Sequence, residues 1–248
     1  MAGRELVVGG VHAVRTALAR APGDALELWL RRDREHAAAD GLEATARGLG
    51  IAVQRVGGEA LDKRYGDSHH QGVVLRRRAP ATLDVPALLE RLAGRPDPAL
   101  LLILDGVQDP RNFGACLRAA DGAGADAVVY PRDKSAPLGS VLAKAASGAV
   151  DSVGLVAVAN LARAMSELAA AGIWITGTAH DAPGDLYAAD FRAPAALVLG
   201  NEGSGLRRLT RERCDALVRI PMHGVVDSLN VATAAAVCLY EARRQRAA

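Results

Sequence analysis

The sequence has 248 residues, of which 50% are hydrophobic and 23% are charged. This composition excludes a disordered chain and is typical of a globular protein with one large or two ordinary domains. The longest stretches without Asp, Glu, Lys or Arg are residues 168–180 and 228–240. Both are too short to cross a bilayer, which takes about 20 apolar residues in a helix. We therefore expect no membrane segment.

The cysteines and the start of the chain indicate a cytoplasmic protein. Cys116, Cys214 and Cys238 are odd in number and lack the spacing of metal ligands. The first five residues, Met1 to Glu5, lack the long apolar stretch of a secretory signal. We therefore expect a cytoplasmic location and no metal site.

The formal net charge of +2 is small, but it is unevenly distributed. Residues 1–78 hold 13 Lys and Arg against 10 Asp and Glu, whereas residues 99–248 hold 15 of each. Nearly all the positive charge is arginine, which forks onto phosphates and stacks on bases. A GC-rich genome would enrich arginine equally well, so charge alone leaves a nucleic-acid partner open.

The chain divides into two regions of different composition. Residues 1–78 alternate short strand-like runs with helical stretches, which predicts a small α/β domain. Residues 79–98 contain four prolines around a short apolar stretch, a composition typical of a semi-rigid linker. Residues 99–248 then form a second domain.

The second domain alternates near-continuous apolar strands with helices, which predicts an α/β fold with a parallel sheet covered on both faces. Ligands of such sheets bind beyond the carboxyl ends of the strands. A dinucleotide-binding fold would need G-x-G-x-x-G directly after the first strand, and here Leu104 is followed by Asp-Gly-Val-Gln-Asp-Pro. A nucleotide-dependent oxidoreductase is therefore disfavoured.

Three ordered segments carry the chemistry: Asn112-Phe-Gly-Ala-Cys-Leu-Arg118, Leu197-Val-Leu-Gly-Asn-Glu-Gly-Ser-Gly-Leu206 and Ile220-Pro-Met-His-Gly-Val-Val-Asp-Ser-Leu-Asn230. Together they resemble the three motifs of the SpoU branch of the SPOUT methyltransferases. The resemblance implies a trefoil-knotted catalytic domain that uses S-adenosylmethionine, without a metal, to methylate ribose 2′-hydroxyl groups of RNA.

Arg118 is the candidate for stabilising the alkoxide that develops as the 2′-hydroxyl loses its proton. A guanidinium is almost always protonated, so it suits an electrostatic role better than that of a base. The alternative is an exposed helix arginine paired with Asp121 or Asp126. The resemblance implies that Asn112 and Glu202 hold the arginine and the ribose, and that Asn230 orients the acceptor and the cofactor.

The resemblance also implies a cofactor site built largely from backbone groups, and it maps this site to Leu199, Gly200, Ile220, Met222, Ser228 and Leu229. Asn230 and Ser228 are equally typical of residues that cap a helix. One departure from the family is Ala232, at a position where serine is frequent.

The N-terminal segments Gly9 to Leu18 and His69 to Leu75 resemble the RNA-binding domain of family members that methylate a guanosine in 23S rRNA. The resemblance thus implies a homodimer acting on 23S rRNA, or on a large-subunit precursor, in the peptidyl-transferase region. Two alternatives stay open: a tRNA ribose methyltransferase, and an inert RNA-binding factor of ribosome assembly.

Overall fold

The computed structural model describes residues 5–33, 37–66 and 68–247. The other positions of the predicted domains 1–78 and 99–248 lie outside the described residues. The described chain contains two sheets, one in each of the predicted domains. We call residues 5–78 the N-terminal unit and residues 99–247 the C-terminal unit.

The N-terminal unit is a four-stranded sheet with three helices. Its elements are β1 (Glu5–Gly9), α1 (Val11–Arg20), β2 (Ala25–Arg31), α2 (Ala37–Gly48), β3 (Ala52–Val56), α3 (Gly58–Tyr65) and β4 (Val73–Arg78). The strand order is β1-β4-β2-β3, and β4 runs antiparallel to both of its neighbours. The prediction of a small N-terminal α/β domain is confirmed.

The predicted linker, residues 79–98, contains an ordered helix, α4 (Val85–Leu92). Asp84 caps this helix, since its carboxylate accepts a hydrogen bond of 2.9 Å from the backbone N–H of Ala87. Val85 and Leu88 are buried against the larger sheet of the C-terminal unit. This part of the connection therefore packs with the C-terminal unit.

The C-terminal unit is a seven-stranded sheet with helices on both faces. Its elements are β5 (Leu100–Asp105), α5 (Pro110–Gly122), β6 (Ala127–Pro131), α6 (Ser140–Ala146), β7 (Gly154–Val158), α7 (Leu161–Ala170), β8 (Trp174–Thr178), β9 (Gly184–Asp185), β10 (Ala195–Gly200), α8 (Arg208–Glu212), β11 (Ala216–Arg219) and α9 (Val231–Arg246). The strand order is β7-β6-β5-β10-β8-β11-β9, and all six pairings are parallel. The predicted parallel sheet is confirmed.

Strand β5 is buried along its whole length, which explains its uninterrupted apolar sequence. Leu100, Leu102 and Leu104 pack into the core beneath α5, α6 and α9, whereas Leu101 and Ile103 pack beneath α4 and α7. The alternation follows from the two-residue period of a strand. Covered on both faces, the sheet leaves the ends of its strands as the place for a site.

In the described part of the chain, no helix is both long and apolar enough to cross a membrane. The longest described helix, α9, contains the sequence Glu-Ala-Arg-Arg-Gln-Arg in its second half.

Candidate active site

The first segment of the site follows β5. Gly106 turns the chain with a φ of 84°, a conformation that favours glycine. Asp109 then caps α5, accepting hydrogen bonds from the backbone N–H groups of Arg111 (2.6 Å) and Asn112 (3.2 Å). Pro110 stands in the first turn, where its missing N–H costs nothing. The cap thus fixes Asn112 at the end of the sheet.

The second segment is a closed loop after β10. The side-chain oxygen of Asn201 accepts hydrogen bonds from the backbone N–H groups of Gly203 (3.1 Å) and Ser204 (2.7 Å). A Cβ atom at Gly200 would lie 2.0 Å from the backbone carbon of Gly205, so the loop closes only around glycine. Glu202 lies in this loop, and its side chain is exposed.

The third segment precedes α9. Asn230 caps this helix, because its Oδ1 accepts a hydrogen bond of 3.0 Å from the backbone N–H of Ala232. Ser228 is not the cap, since its hydroxyl donates to Asp227 at 3.0 Å. The Nδ2 of Asn230 is therefore free to point away from the helix.

The three predicted residues Asn112, Glu202 and Asn230 meet in one hydrogen-bond network. Asn230 Nδ2 donates to Glu202 Oε1 at 2.8 Å and to Asn112 Oδ1 at 3.0 Å. Asn112 Nδ2 donates to the same Oε1 atom of Glu202 at 2.5 Å. Within the described chain, Oε2 of Glu202 makes no hydrogen bond. It remains available to accept one from a bound hydroxyl group.

Arg118 lies outside this network in the single chain. It is exposed on α5, and it forms no hydrogen bond or ion pair with any described residue. The pairing with Asp126 considered above is absent, because Asp126 instead binds Arg95 and the backbone N–H of Leu100. Nothing inside the described chain therefore holds the guanidinium in place.

A cavity of about 490 Å³ opens beside Glu202, between the loops that follow β8, β10 and β11. This volume is within the usual range for sites that enclose a small molecule. All six residues predicted for the cofactor line the cavity: Leu199, Gly200, Ile220, Met222, Ser228 and Leu229. The second and third predicted segments thus line one concave site, and Asn112 of the first segment reaches it through Glu202.

Comparison with known proteins decides the family. Residues 99–240 match the SpoU rRNA Methylase family, and residues 7–82 match the domain described as RNA 2′-O ribose methyltransferase substrate binding. The chain belongs to the SpoU rRNA methylase family. The predicted resemblance and the SPOUT fold class are confirmed.

Individual members of the SpoU family match nearly the whole chain. The 23S rRNA (guanosine-2′-O-)-methyltransferase RlmB of Shewanella oneidensis is 46% identical over 240 residues, which cover 97% of each chain. RlmB of Haemophilus influenzae is 47% identical over 238 residues, or 96% of each chain. The crystal structure of the SpoU methyltransferase AviRb from Streptomyces viridochromogenes with AdoMet is 28% identical, has a TM-score of 0.83, and covers 98% of this chain and 91% of its own.

The structure adds an ion pair to this SpoU site that the sequence did not predict. Asp181 and Arg211 both line the cavity and are joined at 2.9 Å. The hydrogen bond from Arg211 lowers the pKa of Asp181. Asp181 follows β8, whose carboxyl end could have indicated a role at the site. No local pattern marks Arg211.

A second unpredicted pair supports the loop that carries Glu202. The buried carboxylate of Asp105, at the end of β5, accepts hydrogen bonds from the backbone N–H (2.8 Å) and Nε (2.5 Å) of Arg207. These bonds tie the β10 loop to the strand that leads to Asn112. The segments that carry Asn112 and Glu202 are thus joined by the buried contact of Asp105 with Arg207 as well as by their own hydrogen bond.

The cysteines are poor nucleophiles in this structure. Burial raises the pKa of Cys116 to about 12, and the nearby Glu202 carboxylate adds to the rise. Burial likewise raises the pKa values of Cys214 and Cys238 to about 12. In the part of the chain that the structure describes, no group of three or more His, Cys, Asp or Glu side chains could hold a metal ion.

Proposed function

We propose that this chain transfers a methyl group from S-adenosylmethionine to the ribose 2′-oxygen of a guanosine in 23S rRNA. One observation carries the proposal: Asn112, Glu202 and Asn230 form a network at the edge of a cavity that the six expected cofactor residues line. The 46% identity to RlmB of Shewanella oneidensis over 97% of the chain supports the choice of substrate.

The cavity suits S-adenosylmethionine in size and chemistry. Its walls combine apolar side chains such as Leu199, Ile220 and Met222 with the bare backbone of Gly200, which suits an adenosine. The carboxylates of Glu202 and Asp227 also line it, and they favour a cationic ligand over a phosphate, whereas that of Asp181 is paired with Arg211. When bound, the cofactor supplies an electrophilic methyl group on a sulfonium ion.

In the proposed mechanism, Glu202 and the two asparagines hold the acceptor ribose. The amides of Asn112 and Asn230 fix one carboxylate oxygen of Glu202, so the other oxygen keeps a constant direction. Oε2 then accepts a hydrogen bond from a ribose hydroxyl and aligns the 2′-oxygen with the methyl group. Such alignment is a large part of catalysis in a displacement reaction.

We assign to Arg118 the stabilisation of the developing alkoxide and of the adjacent phosphate. Its exposed guanidinium has no partner among the described residues, so it is available to RNA or to a second copy of the chain. We propose a homodimer in which the site is completed across the subunit interface, as the family resemblance implies. We further propose that the enzyme works in the cytoplasm, on 23S rRNA or a large-subunit precursor.

We propose that residues 1–78 select the RNA and that residues 99–248 bind the cofactor and dimerise. The excess of Lys and Arg over Asp and Glu lies in residues 1–78, and phosphate contacts supply much of the affinity for RNA. The match of residues 7–82 to the substrate-binding domain of RNA 2′-O ribose methyltransferases supports this division.

The alternatives are disfavoured by specific observations. The RlmB relatives of Shewanella oneidensis and Haemophilus influenzae, which match 96–97% of the chain, are named for 23S rRNA, which favours that RNA over tRNA. An inert assembly factor would not need the hydrogen-bonded arrangement of Asn112, Glu202 and Asn230 at a cavity.

The test is to map ribose methylation in total RNA from cells with and without the gene. We expect one guanosine in the peptidyl-transferase region of 23S rRNA to lose its 2′-O-methyl group, and a copy of the gene to restore it. Loss of a tRNA methyl group instead would support the tRNA alternative. An unchanged map would refute the proposed function.

A further inference from the structure

A buried ion pair joins the N-terminal and C-terminal units. Arg77, on the last strand of the N-terminal unit, is fully buried, and Asp151, between α6 and β7, has a side chain that is 2% exposed. The Nη1 atom of Arg77 donates to both carboxylate oxygens of Asp151, at 2.5 and 2.6 Å. The two residues are 74 positions apart in sequence, and each belongs to a different unit.

The surfaces around the pair are closely fitted. Gly148, three residues before Asp151, has a φ of 98°, and a Cβ atom there would lie 2.9 Å from the Cβ of Thr16 on α1. Ala143 on α6 is buried within the hydrophobic core of the N-terminal unit, together with residues such as Val14. The contact therefore combines a buried ion pair with close apolar packing.

Helix α6, which packs against the N-terminal unit, is also in direct contact with α5, the helix that carries Asn112 and Arg118. A Cβ atom at Gly114 on α5 would lie 2.5 Å from the carbonyl oxygen of Leu142 and 2.6 Å from the Cβ of Ala145, both on α6. The absence of a side chain at Gly114 thus allows α6 to pack tightly against α5. Helix α6 and residues 149–151 thus lie between the N-terminal unit and the helix of the proposed catalytic residues.

We propose that Arg77 and Asp151 are positioning residues that hold the N-terminal unit at a fixed place relative to the active site, so that bound RNA is presented to Arg118 and Asn112. This inference rests on the proposed function. We base this inference on the geometry of the ion pair and not on any net contribution of the pair to stability. Arg77 also contacts Asp24 in its own unit, but at 3.4 Å, so the docked arrangement supplies the nearer carboxylate for the buried guanidinium. Moving the two units apart would take that partner away, which is unfavourable for a charge that stays buried.

Breaking the Arg77–Asp151 pair should affect the maximal rate and the apparent affinity for RNA differently. RNA contacts made by the N-terminal unit persist when the pair is broken, so the RNA concentration giving half the maximal rate should stay within about twofold of wild type. Presentation of the nucleotide then depends on a loosely tethered unit, and the rate at saturating RNA should fall about tenfold. A residue with a purely structural role would not separate these two quantities.

The experiment uses the full chain and four variants. Asp151→Asn removes one charge at nearly constant shape, and Arg77→Lys keeps the charge as a conservative rescue. Thr16→Trp wedges the two surfaces apart opposite Gly148 and keeps both charges of the ion pair. Arg76→Gln is the matched control, because Arg76 neighbours Arg77 on β4 but pairs with Glu5 and Glu27 inside its own unit.

Three measurements are made on each variant: single-turnover methylation of 23S rRNA over a range of RNA concentrations, the affinity for S-adenosylmethionine, and the maximum dimension by small-angle X-ray scattering. We expect Asp151→Asn and Thr16→Trp to increase the maximum dimension and lower the saturating rate, with cofactor affinity unchanged. Arg77→Lys should stay near wild type, and Arg76→Gln should match it.

A wild-type saturating rate in both Asp151→Asn and Thr16→Trp would overturn the proposal, and so would an extended wild-type chain in scattering. If Asp151→Asn does not fold, Thr16→Trp decides alone, because it leaves both Arg77 and Asp151 in place. A chain that methylates no RNA would refute the proposed function instead, and the scattering comparison would still test the docking of the two units.

Discussion

The oxygen and the nitrogen of the Asn230 side-chain amide have different roles, and substitutions can separate these roles. Its Oδ1 caps α9 through the backbone N–H of Ala232, and its Nδ2 joins Glu202 and Asn112. Serine provides a capping oxygen as effective as that of asparagine, whereas alanine provides none. Neither serine nor alanine has an amide that could reach both partners. Asn230→Ser thus removes the catalytic bridge alone, and Asn230→Ala removes both functions.

The expected magnitudes differ between stability and rate. Replacing a capping residue by alanine costs about 1 kcal/mol, which in a chain of this size corresponds to about 2–4 °C in Tm. Loss of the bridge is common to both variants, so their difference isolates the cap. Without the two bonds of 2.8 and 3.0 Å, Glu202 loses its fixed direction. We expect methyl transfer to fall about a hundredfold in both variants.

The assays are thermal unfolding and single-turnover transfer of radiolabelled methyl to 23S rRNA, with saturating cofactor. The expected result is a Tm near wild type for Asn230→Ser, a Tm lower by a few degrees for Asn230→Ala, and the same low rate for both. Equal Tm values for the two variants would contradict the capping argument. A rate near wild type in Asn230→Ser would contradict the role of the bridge.

Three further predictions follow from the same site. Arg118→Ala should lower the rate of methyl transfer by about two to three powers of ten while cofactor affinity changes by only a few-fold. The control is Arg91→Ala, which removes an exposed arginine on α4. A normal rate in Arg118→Ala would show that Arg118 is an ordinary surface residue. Excess chelator should leave cofactor binding and turnover unchanged, and activity that a divalent ion restored without acting on RNA folding would exclude the metal-free mechanism. A fragment of residues 79–248, which retains α4, should bind S-adenosylmethionine and elute as a dimer in size-exclusion chromatography but methylate rRNA poorly; transfer at the full-length rate would show that residues 1–78 do not present the RNA.

The sequence by itself determined the class of fold and the segments that form the site. The uninterrupted apolar run of β5 predicted a strand buried on both faces, because each residue of such a strand meets a core. The three motifs also contain their own local structure: the asparagine that closes the β10 loop and the caps of α5 and α9 act on neighbouring residues. Interactions of this short range are encoded where they occur.

Only the tertiary structure decided which distant residues meet. The placement of β10 between β5 and β8 brings Glu202 to Asn112, although 90 residues separate them in sequence. The pairs Asp105 with Arg207 and Arg77 with Asp151 likewise join positions 102 and 74 residues apart. Periodicity reports how deeply a segment is buried, but it does not identify the neighbour against which that segment packs. An isolated charge in a sequence has many possible partners, and the order of the strands selects one.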